Sequence, residues 1–163
     1  MLNYIQRVLT TIAVALWFGG FTIYTAFVVK VGSRVVGGLE QGYITQQVTD
    51  TLQVFAAIMI VAVALDIAVH WRRTNRLMRT LQSVAWMFML GSLVGLVIVH
   101  SQMDELLDLA TFARPDHGPF RPLHQRYQLI STILWFATLT YIALMVRLNA
   151  CGVQCEESQA SIH

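Results

Sequence analysis

The sequence predicts an all-α integral membrane protein, a four-helix up-and-down bundle, and two observations lead to this prediction. The apolar residues fall into four blocks, each near the ~20 residues of helix that a lipid core requires. The chain of 163 residues is also 56% hydrophobic and only 12% charged, which is more apolar surface than a water-soluble core can bury. Because backbone groups in hydrocarbon must be hydrogen-bonded within the helix, each block is expected to cross the bilayer. The blocks cover residues 5–31, 54–71, 81–100 and 129–146.

The basic residues predict the orientation. The short loop after the second block holds four arginines, and dense basic charge marks a cytoplasmic loop. Four spans then place both termini on the cytoplasmic side, and we expect a multi-pass protein of a bacterial inner membrane. The net charge of +2 is too small to indicate a nucleic-acid partner, so the expected partners are the lipid bilayer and other membrane-protein subunits or further copies of this chain. The four arginines are Arg72, Arg73, Arg76 and Arg79.

The first two helices are bounded by glycines and by a capping motif. The first block exceeds the ~7–15 residues of a signal-peptide core, which predicts a retained helix. It is expected to end near Lys30, before a flexible loop rich in glycine. The second helix is expected to begin at Thr49 or Asp50, because Asp50-x-x-Gln53 has the form of a capping box.

The third loop is predicted to contain a short amphipathic helix on the outer membrane surface. Ser101 is expected to cap it, with apolar and acidic residues on opposite faces. Three prolines then favour extended chain until the fourth helix begins at Leu123 or His124. The apolar face comprises Met103, Leu106, Leu107 and Ala110, the acidic face Asp104, Glu105 and Asp108, and the prolines are Pro115, Pro119 and Pro122.

The domain organisation is one transmembrane domain, residues 1–150, followed by a polar cytoplasmic tail, residues 151–163, that is expected to be disordered. The tail holds both cysteines, Cys151 and Cys155. Their C-x-x-x-C spacing differs from the C-x-x-C of redox and zinc sites, and a cysteine this near the membrane can also be palmitoylated.

Histidines at the outer ends of the third and fourth helices form a candidate metal or haem site. His100 closes one helix and His124 opens the next, so a bundle places both imidazoles at a similar depth. Met103 follows His100 by one helical turn, and His117 lies in the intervening loop. Imidazole with thioether suits copper, and two facing imidazoles also suit haem b. The alternative is that these side chains simply occupy the wet membrane interface.

A second candidate site lies in the second helix. Asp66 is the one carboxylate well inside an apolar block, and His70 follows it by one turn on the same face. An ionisable residue inside a membrane is a functional hypothesis by default, here proton or cation handling. The alternative is that Asp66 snorkels to form a salt bridge with the arginine loop, which begins at Arg72, about 9 Å further along the helix.

Two further patterns predict how the helices pack. Glycine pairs in the first and third helices, Gly19 with Gly20 and Gly91 with Gly95, would let a neighbouring helix approach closely, within this bundle or in a dimer. Helix four carries a polar stripe at steps of four and three residues. Its role is either interhelical hydrogen bonding or a solute or proton path; it comprises His124, Gln128, Ser131, Trp135 and Thr138.

Two sequence elements resemble known membrane families. Residues 16–20 read Leu-Trp-Phe-Gly-Gly, and residues 120–127 read Phe-Arg-Pro-Leu-His-Gln-Arg-Tyr. Together with four spans, they resemble the transmembrane protein 205-like group, which implies a four-helix membrane fold and little chemistry. The Trp-Phe-Gly-Gly element is also similar to one in the copper-resistance protein D family, which implies copper handling. Residues 28–31, Val-Val-Lys-Val, depart from the Ala-Pro that the first group commonly shows here.

The functional expectation follows from these candidates. The sequence has no nucleotide-binding glycine loop, nucleophile elbow or H-E-x-x-H motif, which argues against hydrolase and kinase chemistry. We expect a non-catalytic accessory or scaffold subunit that packs into a membrane complex through the Gly91/Gly95 face. The alternatives are a copper- or haem-binding membrane protein and a component of small-solute or proton transport.

Overall fold

The computed structural model describes residues 2–72, 74–105 and 117–160. The predicted all-α fold is confirmed, since four long apolar helices and no strand are found in these ranges. The first helix, α1, continues through a π-helical turn at Tyr24–Val28 directly into α2. The elements are α1 Leu2–Ile23, α2 Val29–Val35, α3 Gly38–His70, α4 Arg76–Asp104 and α5 His117–Ala160.

The α1 helix, the π-helical turn and α2 form one continuous helix. This helix and α3, α4 and α5 are each long and apolar enough to cross a membrane, so the protein is a multi-pass integral membrane protein. The outward side chains are those that lipid accommodates: Leu16, Phe27 and Leu129 are all more than 60% exposed. Apolar groups on this surface are covered by acyl chains in a bilayer. The candidate spans are Tyr4–Val35, Glu40–His70, Arg76–Asp104 and Arg121–Arg147.

The helices pack in chain order around one core. The α1 helix packs on α3, α3 on α4, and α4 most extensively on α5, whereas the contact between α1 and α5 is smaller than any of these. That seam is joined by aromatic contacts: Phe18 stacks on Trp135 at 5.1 Å between ring centroids, and Trp135 Nε1 donates to Thr22 Oγ1 at 3.0 Å. The most deeply buried side chains include Met59, Val63, Met89, Leu134 and Tyr141.

The predicted first loop is wrong in length. The first membrane-spanning helix does not end near Lys30 but at Val35, the last residue of α2. The α3 helix begins at Gly38 rather than at Thr49 or Asp50. Only Val36 and Gly37 separate the two helices, and Gly37 adopts φ +102°, a conformation that glycine takes without strain. The Asp50-x-x-Gln53 pattern therefore lies inside a helix, where Asp50 contacts His100 of α4 instead of capping an end.

The predicted boundaries around the third loop also need correction. Ser101 caps no new helix, because it lies inside α4 and its Oγ donates to the carbonyl of Ile98 at 2.9 Å. The α5 helix begins before Leu123, at His117, and contains Pro119 and Pro122. Pro119 lies in the first helical turn, where the missing N–H has no intrahelical acceptor anyway. Pro122 lies inside the helix and removes one backbone hydrogen bond. The rest of the predicted surface helix, with Pro115, lies in residues 106–116, outside the described residues.

The segment that the sequence predicts as a polar tail is helical in its backbone, since α5 continues to Ala160. Helix propensity explains this, because residues 148–160 contain no proline and only one glycine. Cys151 and Cys155 lie outside the residues whose side chains are described.

Candidate functional site

The α3 carboxylate that the sequence singled out lies in the core of the bundle. Asp66 is only 3% exposed, and the hydroxyl of Tyr141 from α5 donates to its Oδ2 at 2.8 Å. The Nδ1 atom of His70 lies 3.2 Å from Asp66 Oδ1 and 3.0 Å from the Asp66 carbonyl oxygen. These three residues, Asp66, His70 and Tyr141, are called the Asp66 site below.

The Asp66 site is incompletely satisfied. Asp66 Oδ1 is buried and accepts no well-aligned hydrogen bond from the described residues, because His70 Nδ1 is directed at the backbone carbonyl. Arg7 of α1 is near enough for its charge to act on Tyr141, and its buried Nε likewise has no described hydrogen-bond partner. Unsatisfied buried polar atoms of this kind need an explanation, such as water, an ion or a proton.

The predicted alternative for Asp66, a salt bridge to the arginine loop, is not formed with Arg72, Arg76 or Arg79, and Arg73 lies outside the described residues. Within the described residues, the ion-pair contacts of Asp66 involve only His70. A tyrosine hydroxyl is a neutral donor, so it stabilises a carboxylate much less than an arginine would.

His70 connects the buried carboxyl group to the membrane surface. Its side chain is 18% exposed, against 4% for Asp66, and it is the last residue of α3. The next two residues, Trp71 and Arg72, are exposed. The imidazole thus lies between the buried Asp66 carboxyl group and the exposed end of α3.

A second polar cluster lies at the opposite end of the bundle. His100 Nε2 donates to Asp50 Oδ1 at 2.9 Å and lies 3.6 Å from Asp104 Oδ2. Gln46 Nε2 donates to Asp104 Oδ1 at 2.6 Å. The ring of Tyr127 from α5 lies 6.3 Å from that of His100 between centroids. Asp50 and Asp104 thus join α3 to α4, and the ring of Tyr127 adds a contact from α5. The sequence predicts a helix cap at Asp50 and a surface helix that contains Asp104.

The structure describes the side chains of three of the four predicted metal ligands. His100 is bonded to carboxylates, Met103 is buried, and His124 is exposed with its Nε2 accepting from Gln128 Nε2 at 3.1 Å. The side chain of His117 lies outside the described ones. No group of three or more His, Cys, Asp or Glu side chains in the described part of the chain is placed to hold a metal ion.

The chain matches no family model, no curated protein and no solved structure. Residue roles therefore rest on the geometry of the bundle itself.

The polar stripe of α5 is only partly internal. Ser131 and Thr138 are buried, whereas Gln128 is exposed and Trp135 bonds to α1. Ser131 Oγ and Gln53 Nε2 are buried near the phenol of Tyr127 without a described hydrogen-bond partner. Thr138 Oγ1 donates back to the carbonyl of Leu134 at 2.9 Å, so these side chains do not form one continuous chain.

An apolar layer separates the two polar clusters. From Gln53 to Asp66 there are thirteen residues of α3, about 20 Å at 1.5 Å per residue. Buried apolar side chains from three helices occupy this interval: Met59 and Val63 from α3, Met89 from α4 and Leu134 from α5. Within the described residues, this apolar layer lies between the Asp66 site and the polar cluster around His100.

Tyr141 is the functional candidate that sequence reasoning missed. It lies three residues after Thr138, so extending the polar stripe of α5 by one helical turn would have reached it. Asp50 and Asp104 were missed for another reason. The sequence predicts metal binding for their partner His100. It also predicts a loop for the residues before Thr49, which in the structure belong to α3 and carry Gln46.

Three of the four glycines in the predicted pairs have no close contact with another helix of this bundle. A Cβ atom at Gly19, Gly20 or Gly91 would meet nothing within 4 Å, and at Gly95 it would meet Ile130 at 3.4 Å. Gly91 and Gly95 instead face an open apolar groove of about 370 Å³ between α4 and α5. Its walls are Met87, Phe88, Gly91, Ser92, Gly95, Ile130 and Ile133.

Proposed function

We propose that this chain is a proton-handling component of a membrane transport system, in which Asp66 carries the proton. The observation that carries the proposal is a carboxyl group, 97% buried in a membrane-spanning helix, whose strongest described contact is the neutral hydroxyl of Tyr141. Sequence considerations alone favoured an accessory subunit. The contacts of Asp66 support the transport alternative instead.

The energetics support reversible protonation at Asp66. Keeping a carboxylate inside a membrane-spanning helix is costly, and a single neutral donor offsets only part of that cost. In the described residues, no arginine or lysine forms an ion pair that would have to break when this carboxyl group gains a proton.

The surroundings of Asp66 support one-sided access. His70 can pass a proton between water and the Asp66 carboxyl group, because one imidazole nitrogen lies 3.2 Å from Oδ1. The apolar layer at Met59, Met89 and Leu134 closes the other direction. A carrier with alternating access holds its site open to one side at a time.

Proton flux into reconstituted vesicles tests this function. Protein in vesicles that contain a pH-sensitive dye is subjected to a potassium diffusion potential. We expect the interior to acidify faster than in empty vesicles and Asp66→Asn to abolish that excess, while the matched control Glu105→Gln, an exposed carboxylate at the other end, retains it. Flux in Asp66→Asn equal to that of the unaltered protein, or no flux above empty vesicles, would refute the proposal.

A second candidate function is the accessory subunit, which the Gly91/Gly95 groove supports. Gly91 closes no helix contact inside the bundle, since a Cβ atom there would meet nothing within 4 Å, so the concave surface is available to a helix of another subunit. Gly91→Leu should fill the groove and release the protein from a larger complex on native gels. Val97→Leu, on an exposed part of α4, is the control that should leave migration unchanged. Equal migration of both variants would exclude this face.

A further inference from the structure

The end of the bundle that carries the α3–α4 loop has a strong excess of positive charge. Arg72 and Arg76 are exposed there, and Arg79 is half-buried. The chain contains no Asp or Glu from residue 67 to residue 103. The arginines thus have no acidic neighbour within their own loop or within α4 up to Met103. Arg7 and Arg147, at the ends of the spans in α1 and α5, lie at the same end of an up-and-down bundle.

These arginines make no described ion pair with the protein. All ion pairs among the described residues join histidines to Asp50, Asp66 or Asp104. Asp66 is buried, and Glu156 and Glu157 lie on the part of α5 whose side chains are not described. Exposed guanidinium groups without carboxylate partners leave their hydrogen-bond donors for another anion.

One arginine is held at the level of the membrane surface. The guanidinium carbon of Arg79 lies 4.4 Å from the centroid of the Trp71 ring, a cation–π contact. Trp71 is 45% exposed, and tryptophan prefers the headgroup level of a bilayer. The contact therefore fixes a positive charge at the depth where lipid phosphates lie. The α4 helix begins here, and its positive dipole end adds to the same potential.

We propose that Arg72, Arg76 and Arg79, together with Trp71, form a binding surface for anionic phospholipid headgroups. Charge complementarity and depth identify the occupant: a phosphodiester with net negative charge, anchored by its acyl chains beside the spans. Guanidinium groups bind phosphate oxygens in bidentate fashion, which favours such a headgroup over diffuse counterions. The inference does not depend on proton handling at Asp66.

Lipid enrichment around the protein tests this surface. The protein is reconstituted into vesicles of phosphatidylcholine and phosphatidylglycerol in which only one lipid has brominated, tryptophan-quenching acyl chains. We expect brominated phosphatidylglycerol to quench more than its mole fraction predicts. Losing a single arginine worth about 1 kcal/mol near the surface lowers an equilibrium about fivefold, so the triple variant R72Q/R76Q/R79Q should lower the preference by at least that factor.

A matched variant separates this surface from net charge. R34Q/R121Q/R126Q removes three exposed arginines from the opposite end and should retain the preference, as should the lysine variant R72K/R76K/R79K in large part. Quenching at the mole fraction in the unaltered protein, or an equal loss in both glutamine variants, would overturn the proposal. If R72Q/R76Q/R79Q does not fold, salt decides: the preference must fall between about 0.01 M and 1 M salt, where the screening length shrinks from ~30 to ~3 Å.

Discussion

At the scale of single residues, the cost of leaving the Asp66 carboxyl group without its hydroxyl donor can be measured. Tyr141→Phe removes only the oxygen that donates to Asp66 Oδ2, in a position with no exposed surface. Loss of a buried hydrogen bond costs about 1–3 kcal/mol. We expect that decrease in the free energy of unfolding in mixed micelles. The control is Tyr4→Phe, whose ring is 73% exposed. Equal stability of both variants would mean that Tyr141 does not support Asp66.

The pair of His100 with Asp50 should contribute much less. The two groups are 2.9 Å apart, but the Asp50 side chain is 69% exposed, and exposed ion pairs are worth about 1 kcal/mol or less. Asp50→Asn should therefore lower the free energy of unfolding by no more than about 1 kcal/mol, measured in the same micelles. A loss as large as that of Tyr141→Phe would show that the second cluster carries more of the fold than its exposure indicates.

Residue-level patterns predicted two of the three residues of the Asp66 site. The spacing of four residues placed Asp66 and His70 on one face of α3, and the structure brings them together. The third member, Tyr141, comes from a helix 75 residues later in the chain. A single sequence gives no rotation of one helix relative to another, so the pairing of α5 with α3 could not be derived from spacing.

At the scale of the helices, the turn at Gly37 determines how α2 meets α3. Gly37→Ala places a side chain at φ +102°, which costs about 1–3 kcal/mol in strain. The expected result is a loss of that size in the free energy of unfolding. Gly42→Ala is the matched control, since its Cβ meets nothing within 4 Å and alanine favours a helix by up to ~1 kcal/mol. If Gly37→Ala were as stable as Gly42→Ala, the turn would not need its positive φ.

The centres of the helices were predictable and their ends were not. An apolar block marks only the part of a helix that lies in lipid. The α3 helix extends eleven residues before Thr49, and this extension packs against α2 as the second arm of a helical hairpin. In that extension, Gln41 and Tyr43 are buried, so packing against α2 overrides the glycines that indicated a loop. Tertiary contacts of this kind leave no periodic signal in so short a segment.

At the scale of the whole molecule, the arginine loop predicts the orientation in the membrane. Single cysteines are introduced at Val36 and Thr74, at opposite ends of α3, with Cys151 and Cys155 replaced by serine. A membrane-impermeant maleimide added to intact cells should label Val36→Cys and spare Thr74→Cys, because dense arginine is retained in the cytoplasm. Labelling of Thr74→Cys alone would invert the topology and move the opening of the Asp66 site to the outside.

An infrared titration tests directly whether Asp66 gains and loses a proton. Reconstituted protein is moved between acidic and alkaline buffer, and the carbonyl stretch of protonated carboxyl groups is followed. We expect a band from a buried carboxylic acid that appears at acidic pH and disappears reversibly at alkaline pH. The band should be lost in Asp66→Asn and retained in Asp50→Asn. A spectrum in which Asp66→Asn removes no titrating band would contradict it, because Asp66 would then keep one protonation state and could not carry a proton.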